Sequence, residues 1–330
     1  MSKKLVIQIP CLNEAETLHV ALKELPREVA GFDVVEWLVI DDGSTDDTAD
    51  VARQYGVDHV LQLGHNQGLA RAFMAGIEHA LKLGADVIVN TDADNQYSAS
   101  CIPELVRPIL EKRALIVVGT RPVTEIEHFS PTKKFLQRLG SWVVKLVSGT
   151  SVEDAPSGFR AIHRDAALRL NVFSQYTYTL ETIIQAGRKG IPITSVPVAV
   201  NEYLRPSRLV SSIPSYVRRS VLTILRIFVI YKPLRFFMLI AAILATPSLF
   251  FILRFLYFYA SGDGSGHVQS LVIAAGILAV SGIVAIGGIL ADLVATNRLL
   301  LEDLRTRILR AEIERGVLQQ GSRTHDDKSS

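Results

Sequence analysis

Ala85-Asp86-Val87-Ile88-Val89, running into Asn90-Thr91-Asp92-Ala93-Asp94-Asn95-Gln96, is the stretch whose reading decides the fold. The apolar run reads as a fully buried strand, and the carboxylates of Asp92 and Asp94 follow at its end. Ligands of open α/β sheets dock at the carboxyl ends of strands. Two carboxylates placed there make a hard-oxygen site suited to Mg2+ or Mn2+ carrying a substrate diphosphate. Asp92 and Asp94 are therefore the candidate metal ligands.

Working outward, strand and helix signals alternate. Leu5 to Ile9 is an apolar run closed by Pro10, and Asn13 with Glu16 has the spacing of a capping box opening a helix. Val34 to Ile40 is a second strand, ending in the acidic turn Asp41-Asp42-Gly43-Ser44. His59 to Leu63 is a third, and Leu69, Ala72, Phe73, Gly76, Ile77, Ala80 and Leu81 mark a helix at 3.6-residue spacing. A helix near Ile102 to Glu111, a strand from Ala114 to Gly119, a short strand beginning at Ser157, a helix from Thr179 to Lys189 and a strand from Ile193 to Val200 complete the series. The fold class is α/β, a Rossmann-like, mainly parallel sheet covered by helices on both faces. Asp41 and Asp42 stand at a strand end where a carboxylate can accept from base or ribose, although such a turn is also an ordinary N-cap.

The last third is of another kind. Hydrophobic residues make up 48% of the chain and mean hydropathy is +0.27, an excess concentrated after Phe236. Phe236 to Tyr259 and Val268 to Ala291 are each long enough to cross a hydrocarbon core of about 30 Å. Ser261 to His267 joins them without a Lys or Arg. By contrast Arg218, Arg219, Arg226, Lys232 and Arg235 precede the first span, and Arg298, Arg305, Arg307 and Arg310 follow the second. The positive-inside rule puts both ends in the cytosol. Arg254, near the far end of the first span, reads as an interfacial anchor. Before the spans, Ile213 to Tyr231 has Arg219 and Arg226 on one face of an amphipathic helix suited to a headgroup layer. Beyond them, Leu301, Leu304, Ile308 and Ile313 form a stripe that fits either an oligomerising helix or one packed on the membrane face. The polar tail from Gln319 reads as disordered.

Composition narrows the function classes. A net charge of +2 gives no basic field for nucleic acid. Two cysteines, Cys11 and Cys101, make neither a disulfide framework nor a zinc site, which suits a cytosolic catalytic part, and the N-terminus shows no signal-peptide core. A transporter does not fit two spans with one intramembrane Arg.

Pro10-Cys11-Leu12-Asn13-Glu14, Asp41-Asp42-Gly43-Ser44, Asn66-Gln67-Gly68-Leu69-Ala70, Asp92-Ala93-Asp94 and Asp154-Ala155-Pro156-Ser157-Gly158-Phe159-Arg160 together resemble family 2 glycosyltransferases of the GT-A fold. The last motif is similar to the polyprenyl-phosphate and dolichol-phosphate branch, and the resemblance covers about residues 4 to 232. It implies a nucleotide-sugar donor (UDP- or GDP-linked), a polyprenyl phosphate acceptor and Mg2+ or Mn2+ at Asp92 and Asp94. Pro10, Asn13, Glu14 and Asp41 would line the nucleoside pocket, with Asp42, Gly68, Ala93 and Gln96 near ribose and diphosphate. Arg208 would clamp the diphosphate, where relatives often carry Lys. Arg121 would face the acceptor phosphate with Lys133 and Gln137, the latter standing where relatives often have Ser. Ser157 and Arg160 would shape the acceptor side, and Asp154 is expected to pair with Arg160 or a loop amide.

The implied layout is a cytosolic GT-A domain over residues 1–210, interfacial helices over 211–234, two transmembrane helices over 235–296 with an outside loop at 261–267, and a cytosolic helix and tail over 297–330. A phosphate monoester, with a second pKa of about 6, is already anionic at neutral pH and needs no strong base. A transferase acting on a saccharide or lipid-linked glycan, or a silent membrane scaffold, stays open on sequence alone.

Overall fold

The computed structural model describes residues 2–121, 142, 144–152, 154–172, 178–201, 213–262 and 265–326. Its sheet contains β1 (Lys4–Cys11), β2 (Val34–Asp41), β3 (His59–Gln62), β4 (Val87–Asn90), β5 (Ile116–Thr120), β6 (Arg160–His163) and β7 (Ile193–Pro197). The strand order is β3-β2-β1-β4-β6-β5-β7. All neighbours are parallel except at β6, which runs antiparallel to both β4 and β5. In β1 every residue from Leu5 to Cys11 is buried, as expected for a strand covered on both faces.

Helices α1 (Ala15–Glu24), α2 (Thr48–Gln54), α3 (Leu69–Lys82), α4 (Ile102–Leu110), α5 (Arg164–Arg169) and α6 (Tyr178–Arg188) accompany the sheet. The apolar stripe expected in α3 is buried from Ala72 on, with Phe73, Ile77, Ala80 and Leu81 fully covered, whereas Leu69 in the first turn is exposed. The capping box does not form. Asn13 is left-handed (φ 54°) and the N-cap of α1 is Glu14, with no side-chain cap. Asn13 instead uses its amide oxygen to receive the Thr45 N–H at 2.8 Å, a longer-range bond that wins over the local cap.

The chain divides into two compact units, Met1–Val217 with Asp303–Ser330, and Arg218–Glu302. The second holds most of α7 (Ile213–Tyr231), all of α8 (Pro233–Ala260) and the first part of α9 (Val268–Asp326). Both α8 and α9 are long and apolar enough to cross a membrane. Ser248 Oγ donates to the Ala274 carbonyl at 2.7 Å and Ser281 Oγ to the Ala241 carbonyl at 2.8 Å, so the hairpin is stitched twice. Helix α9 does not stop after the second span, and residues 319–326, expected as part of a disordered tail, are helical. Within the first unit Arg305 pairs with Glu78 of α3 and hydrogen-bonds Asn171. Ile313 is buried beside Leu168 of α5 at a cavity of about 360 Å³. Part of the stripe therefore packs on the α/β unit, while Leu301, Leu304 and Ile308 are exposed.

Gly187 in α6 offers a test of the packing around the sheet. A Cβ there would lie 1.9 Å from the Ser148 carbonyl oxygen, a backbone atom. Helix propensity alone favours Gly→Ala by about 1 kcal/mol. Overpacking against backbone costs about 1–3 kcal/mol. Gly187→Ala should lower the thermal midpoint of the full chain, and a midpoint raised by the substitution would show that α6 does not approach Ser148 so closely.

Candidate active site

Three loops at the carboxyl ends of β1, β2 and β3 are braced against one another. Asn13 receives the Thr45 amide, and its own N–H donates to Ser44 Oγ at 2.9 Å. Asp42 accepts from the Gln67 amide (2.8 Å) and the Gly68 amide (2.9 Å), one on each oxygen. Gly43 must be glycine: its φ is +74°, and a Cβ would stand 2.6 Å from the backbone at His65 and Asn66. Asp41 receives the Ser44 amide (2.9 Å) and the Gln62 side-chain amide (3.3 Å).

Both carboxylates of the acidic turn are thus largely committed to holding loops. Asp42 is 3% exposed, and its geometry is that of a loop anchor in place of the ribose contact inferred for it. Neither aspartate caps α2, whose N-cap is Asp47. Glu14 is tied into α1, its carboxylate accepting from Thr17 Oγ1 at 2.7 Å and its amide donating to Thr48 Oγ1 at 2.9 Å. Pro10 is buried in β1, beyond the last residue of that strand paired with β4, Gln8 with Asn90.

The loop after β4 carries the acidic pair. Asp92, Asp94 and Gln96 are half-buried while Ala93, Asn95 and Tyr97 are buried, an alternation that puts the three polar side chains on the more open side. Asp94 Oδ1 accepts from the Gln96 amide at 3.1 Å, and Asn95 is left-handed at φ 55°. The far side of this loop is sewn to the chain after β7: Asn201 N–H donates to the Gln96 carbonyl (2.9 Å), its side-chain amide to the Asn95 carbonyl (3.1 Å), and Tyr97 bridges to Val200. Burial, and then the charge of Asp94, push the Asp92 carboxyl up to about 7, with Arg121 and Arg160 partly offsetting the rise.

These residues fit a divalent ion that brings ligands of its own. Among the described residues no cluster of three or more His, Cys, Asp or Glu could cage a metal. Two adjoining carboxylates without a complete cage suit Mg2+ or Mn2+, which typically use one or two carboxylates and substrate phosphates.

On the acceptor side the structure corrects two expectations. Asp154 pairs with Arg121 and not with Arg160, Arg121 Nε and Nη2 reaching its two oxygens at 2.8 and 3.0 Å, while the expected alternative of a loop amide is met by the Arg121 N–H at 3.2 Å. The guanidinium also lies 5.8 Å from the Tyr97 ring centroid, and Tyr97 stacks on Phe159 at 5.2 Å. Arg160 is fully buried, donating to the carbonyls of Ser157 (2.8 Å) and Ala155 (3.0 Å) and to Thr182 Oγ1. It braces the 155–160 turn from beneath and presents nothing to an acceptor. Ser157 is likewise fully buried. Lys133, Gln137 and Arg208 lie outside the described residues.

Sequence reasoning missed the layer under the acidic pair. Asn90, the last residue of β4, is fully buried and receives the Gln8 side-chain amide at 2.9 Å. Its own amide donates to the Gly158 carbonyl (2.9 Å) and Tyr178 Oη (3.1 Å). The signal available in sequence was a polar Gln8 and Asn90 in strands otherwise apolar.

The pH behaviour follows from Asp92. Its folded-state value lies above the unfolded value of about 3.9, so its ionisation weakens the metal-free fold as pH rises from about 4 to 7. A proton and a cation compete for the same carboxylate, so Mn2+ affinity should fall by up to about tenfold per pH unit below about 7. Asp92→Asn should raise the metal-free thermal midpoint at pH 8 and abolish the Mn2+-induced rise. Retention of that rise in Asp92→Asn would remove Asp92 from the metal site.

Comparison with known proteins follows the same lines. The sequence profile of Glycosyl transferase family 2 matches residues 6–170. The chain is 30% identical over 204 residues to the undecaprenyl-phosphate mannosyltransferase of Micrococcus luteus, covering 59% of this chain and 82% of that protein. It is 29% identical over 224 residues to the UDP-N-acetylglucosamine–dolichyl-phosphate N-acetylglucosaminyltransferase of Methanococcus voltae, covering 60% and 86%. Glucosyl-3-phosphoglycerate synthase from Mycobacterium tuberculosis, solved with Mn2+, UDP and glucosyl-3-phosphoglycerate, shares the fold at a TM-score of 0.51 and 20% identity, covering 67% of this chain and 80% of that one. The mainly parallel sheet, the acidic loop at the end of its central strand and the matched profile lead to one assignment: the chain belongs to glycosyltransferase family 2.

Proposed function

We propose that this protein transfers a sugar from a nucleotide-sugar donor, UDP- or GDP-linked, to polyprenyl phosphate at the cytosolic face of a membrane, with inversion at the sugar carbon. The names of the two relatives, each a transferase to a lipid phosphate, support the acceptor class. Mn2+ with UDP in a protein of the same fold supports the cofactor.

The observation that carries the reading is the Arg121–Asp154 pair. A saccharide acceptor has to lose a proton from a hydroxyl and needs a carboxylate poised as base. Asp154, 1% exposed and bonded on both oxygens by Arg121, is held as a counter-ion. A phosphate monoester with a second pKa of about 6 brings its own anionic oxygen and calls for a positive group to align it. Arg121, fixed in plane by two bonds, is the residue assigned to that task.

The roles of the chain's own residues then follow. The braced 10–14, 41–48 and 65–68 loops would receive the nucleoside, with Asp41 and Glu14 at the pocket wall and Asp42 holding the Gly68 turn. Asp92 and Asp94 would hold the cation, and Gln96 stands beside them. When bound, the ion neutralises charge on the departing nucleoside diphosphate. Arg121 would orient the lipid phosphate for displacement on the side opposite the leaving group. Helices α8 and α9 would anchor the chain, with Arg226, Lys232, Arg235 and Arg298 on the cytosolic side.

Three experiments test this. With purified full-length protein, Mn2+ and a short polyprenyl phosphate, a donor screen should release one nucleoside diphosphate and give an alkali-stable or acid-labile lipid product of defined anomeric configuration. Arg121→Ala should raise the acceptor KM by about tenfold to a hundredfold, the worth of a charge-assisted bond of about 1.5–3 kcal/mol, with donor KM little changed. Equal rises in both would count against the assignment. A reporter appended at the C-terminus should be cytosolic; exposure on the other side would overturn the two-span topology.

A further inference from the structure

Gly158 has no left-handed backbone to explain it, and its φ lies outside the range that favours glycine. What requires glycine there is space. A Cβ on Gly158 would meet Tyr178 Oη at 2.8 Å and the two Asp92 oxygens at 2.9 and 3.0 Å. The phenol and the carboxylate therefore share one small volume above the Gly158 Cα.

Tyr178 is itself rigidly placed. It is 1% exposed and its ring stacks on Phe73 of α3 with centroids 4.0 Å apart and planes 13° from parallel. Its hydroxyl oxygen accepts from Asn90 Nδ2, the amide that also holds the Gly158 carbonyl. An oxygen that accepts from Asn90 keeps its own proton free for another acceptor, and the Asp92 carboxylate borders the same small volume. Burial and the charge of Asp92 both favour the protonated phenol. Gln8 completes the chain by donating to Asn90 from the neighbouring strand.

We propose that Tyr178 is a positioning residue for the Asp92 carboxylate: its hydroxyl, fixed by Asn90, and the bare Cα of Gly158 together set the orientation in which Asp92 receives a divalent cation. The inference rests on the assignment of Asp92 to the cation. It adds that α6 and the 154–160 turn, which also carries the Asp154 partner of Arg121, act on Asp92 through this shared volume. Removing groups that orient a metal ligand typically weakens metal binding by about 10- to 100-fold.

The test uses the full chain in detergent, with Mn2+ and UDP or GDP as the probes. Tyr178→Phe removes one oxygen and its bond from Asn90 but keeps the stacked ring, so the chain should stay folded with a metal-free thermal midpoint lower by a few degrees. Its Mn2+ dissociation constant, read from the free-ion electron paramagnetic resonance signal, should rise by about tenfold, and the bound-Mn2+ line shape should change. Gly158→Ala, which intrudes on both oxygens, should weaken Mn2+ at least as much. KM for lipid phosphate in Tyr178→Phe at saturating Mn2+ should stay within about twofold, the split expected of a group acting on the metal side alone. Unchanged Mn2+ affinity and line shape in folded Tyr178→Phe would overturn the proposal, whatever the outcome for Gly158→Ala. Failure of the parent to transfer sugar to any lipid phosphate would defeat the functional reading instead, and the Mn2+ comparison would stand apart from it.

Discussion

Two carboxylates held close together at the carboxyl end of a sheet's central strand repel each other and lose solvation, and much of the first unit can be understood as support for that arrangement. Left to water, neither Asp92 nor Asp94 would need a partner. In the fold, burial and proximity drive the Asp92 carboxyl towards neutrality, which is the state of a site waiting for positive charge. Arg121 and Arg160 relieve part of this cost through their charge, but one is bound to Asp154 and the other is enclosed by carbonyls and a threonine hydroxyl. A cation brought in with a substrate diphosphate would relieve the rest. The site is then stabilised by the same event that makes it competent.

Such a site works only if the backbone beneath it does not yield, and the bracing is built from short polar side chains. Asn13 and Asp42 each bind amides of a neighbouring loop, and Asp41 binds the Ser44 amide of its own turn and the Gln62 side chain of β3, so that three strand ends behave as one platform. The acidic loop is tied on its other side to Asn201, and below to Asn90 and the turn before β6. Antiparallel β6 is what makes the last contact available. Running back between β4 and β5, it begins at Arg160 beside Asn90, so the turn that precedes it meets the end of β4 directly. A parallel strand in that place would present its carboxyl end there instead.

The sheet was legible in sequence because buried strands are written as apolar runs and strand-end loops as acidic and glycine-rich turns. Asp92 and Asp94 were found that way. The antiparallel sense of β6 was not, since four residues, Arg160 to His163, carry no periodicity that tells direction. Asn13 misled for a definite reason: its spacing to Glu16 satisfies a local capping rule, but a bond to Thr45, thirty-two positions away, decided its conformation. Asp154 pairs with Arg121 across thirty-three positions. Arg160 was placed on the acceptor side by the family resemblance of its motif. Its guanidinium turned out to satisfy carbonyls of a buried turn. Long-range polar pairs of this kind leave no trace in periodicity, and they account for most of what the sequence withheld about the site.

The second unit carries two helices long and apolar enough to cross a membrane, and between such helices in hydrocarbon there would be little hydrophobic drive to associate. Close packing and hydrogen bonds have to supply it. Ala241, Ser248, Ala274 and Ser281 are the buried positions at which α8 and α9 approach, and each serine donates to a carbonyl of the other helix. At Gly288 a Cβ would come within 2.7 Å of Phe237 Cβ, so the missing side chain lets the helices approach closely there. The charges lie towards the ends of this hairpin. Arg298 bonds Glu302 at 3.1 Å and stands over the Tyr231 ring, whereas Arg254, at the opposite end, lies over Phe258, which stacks on His267 of the connection. One end therefore carries a basic cluster and a neutralised pair, and the other a single arginine sheltered by aromatic rings. An insertion rule that counts Lys and Arg has an unambiguous difference to act on, and the middle of the hairpin contains no charge to oppose it.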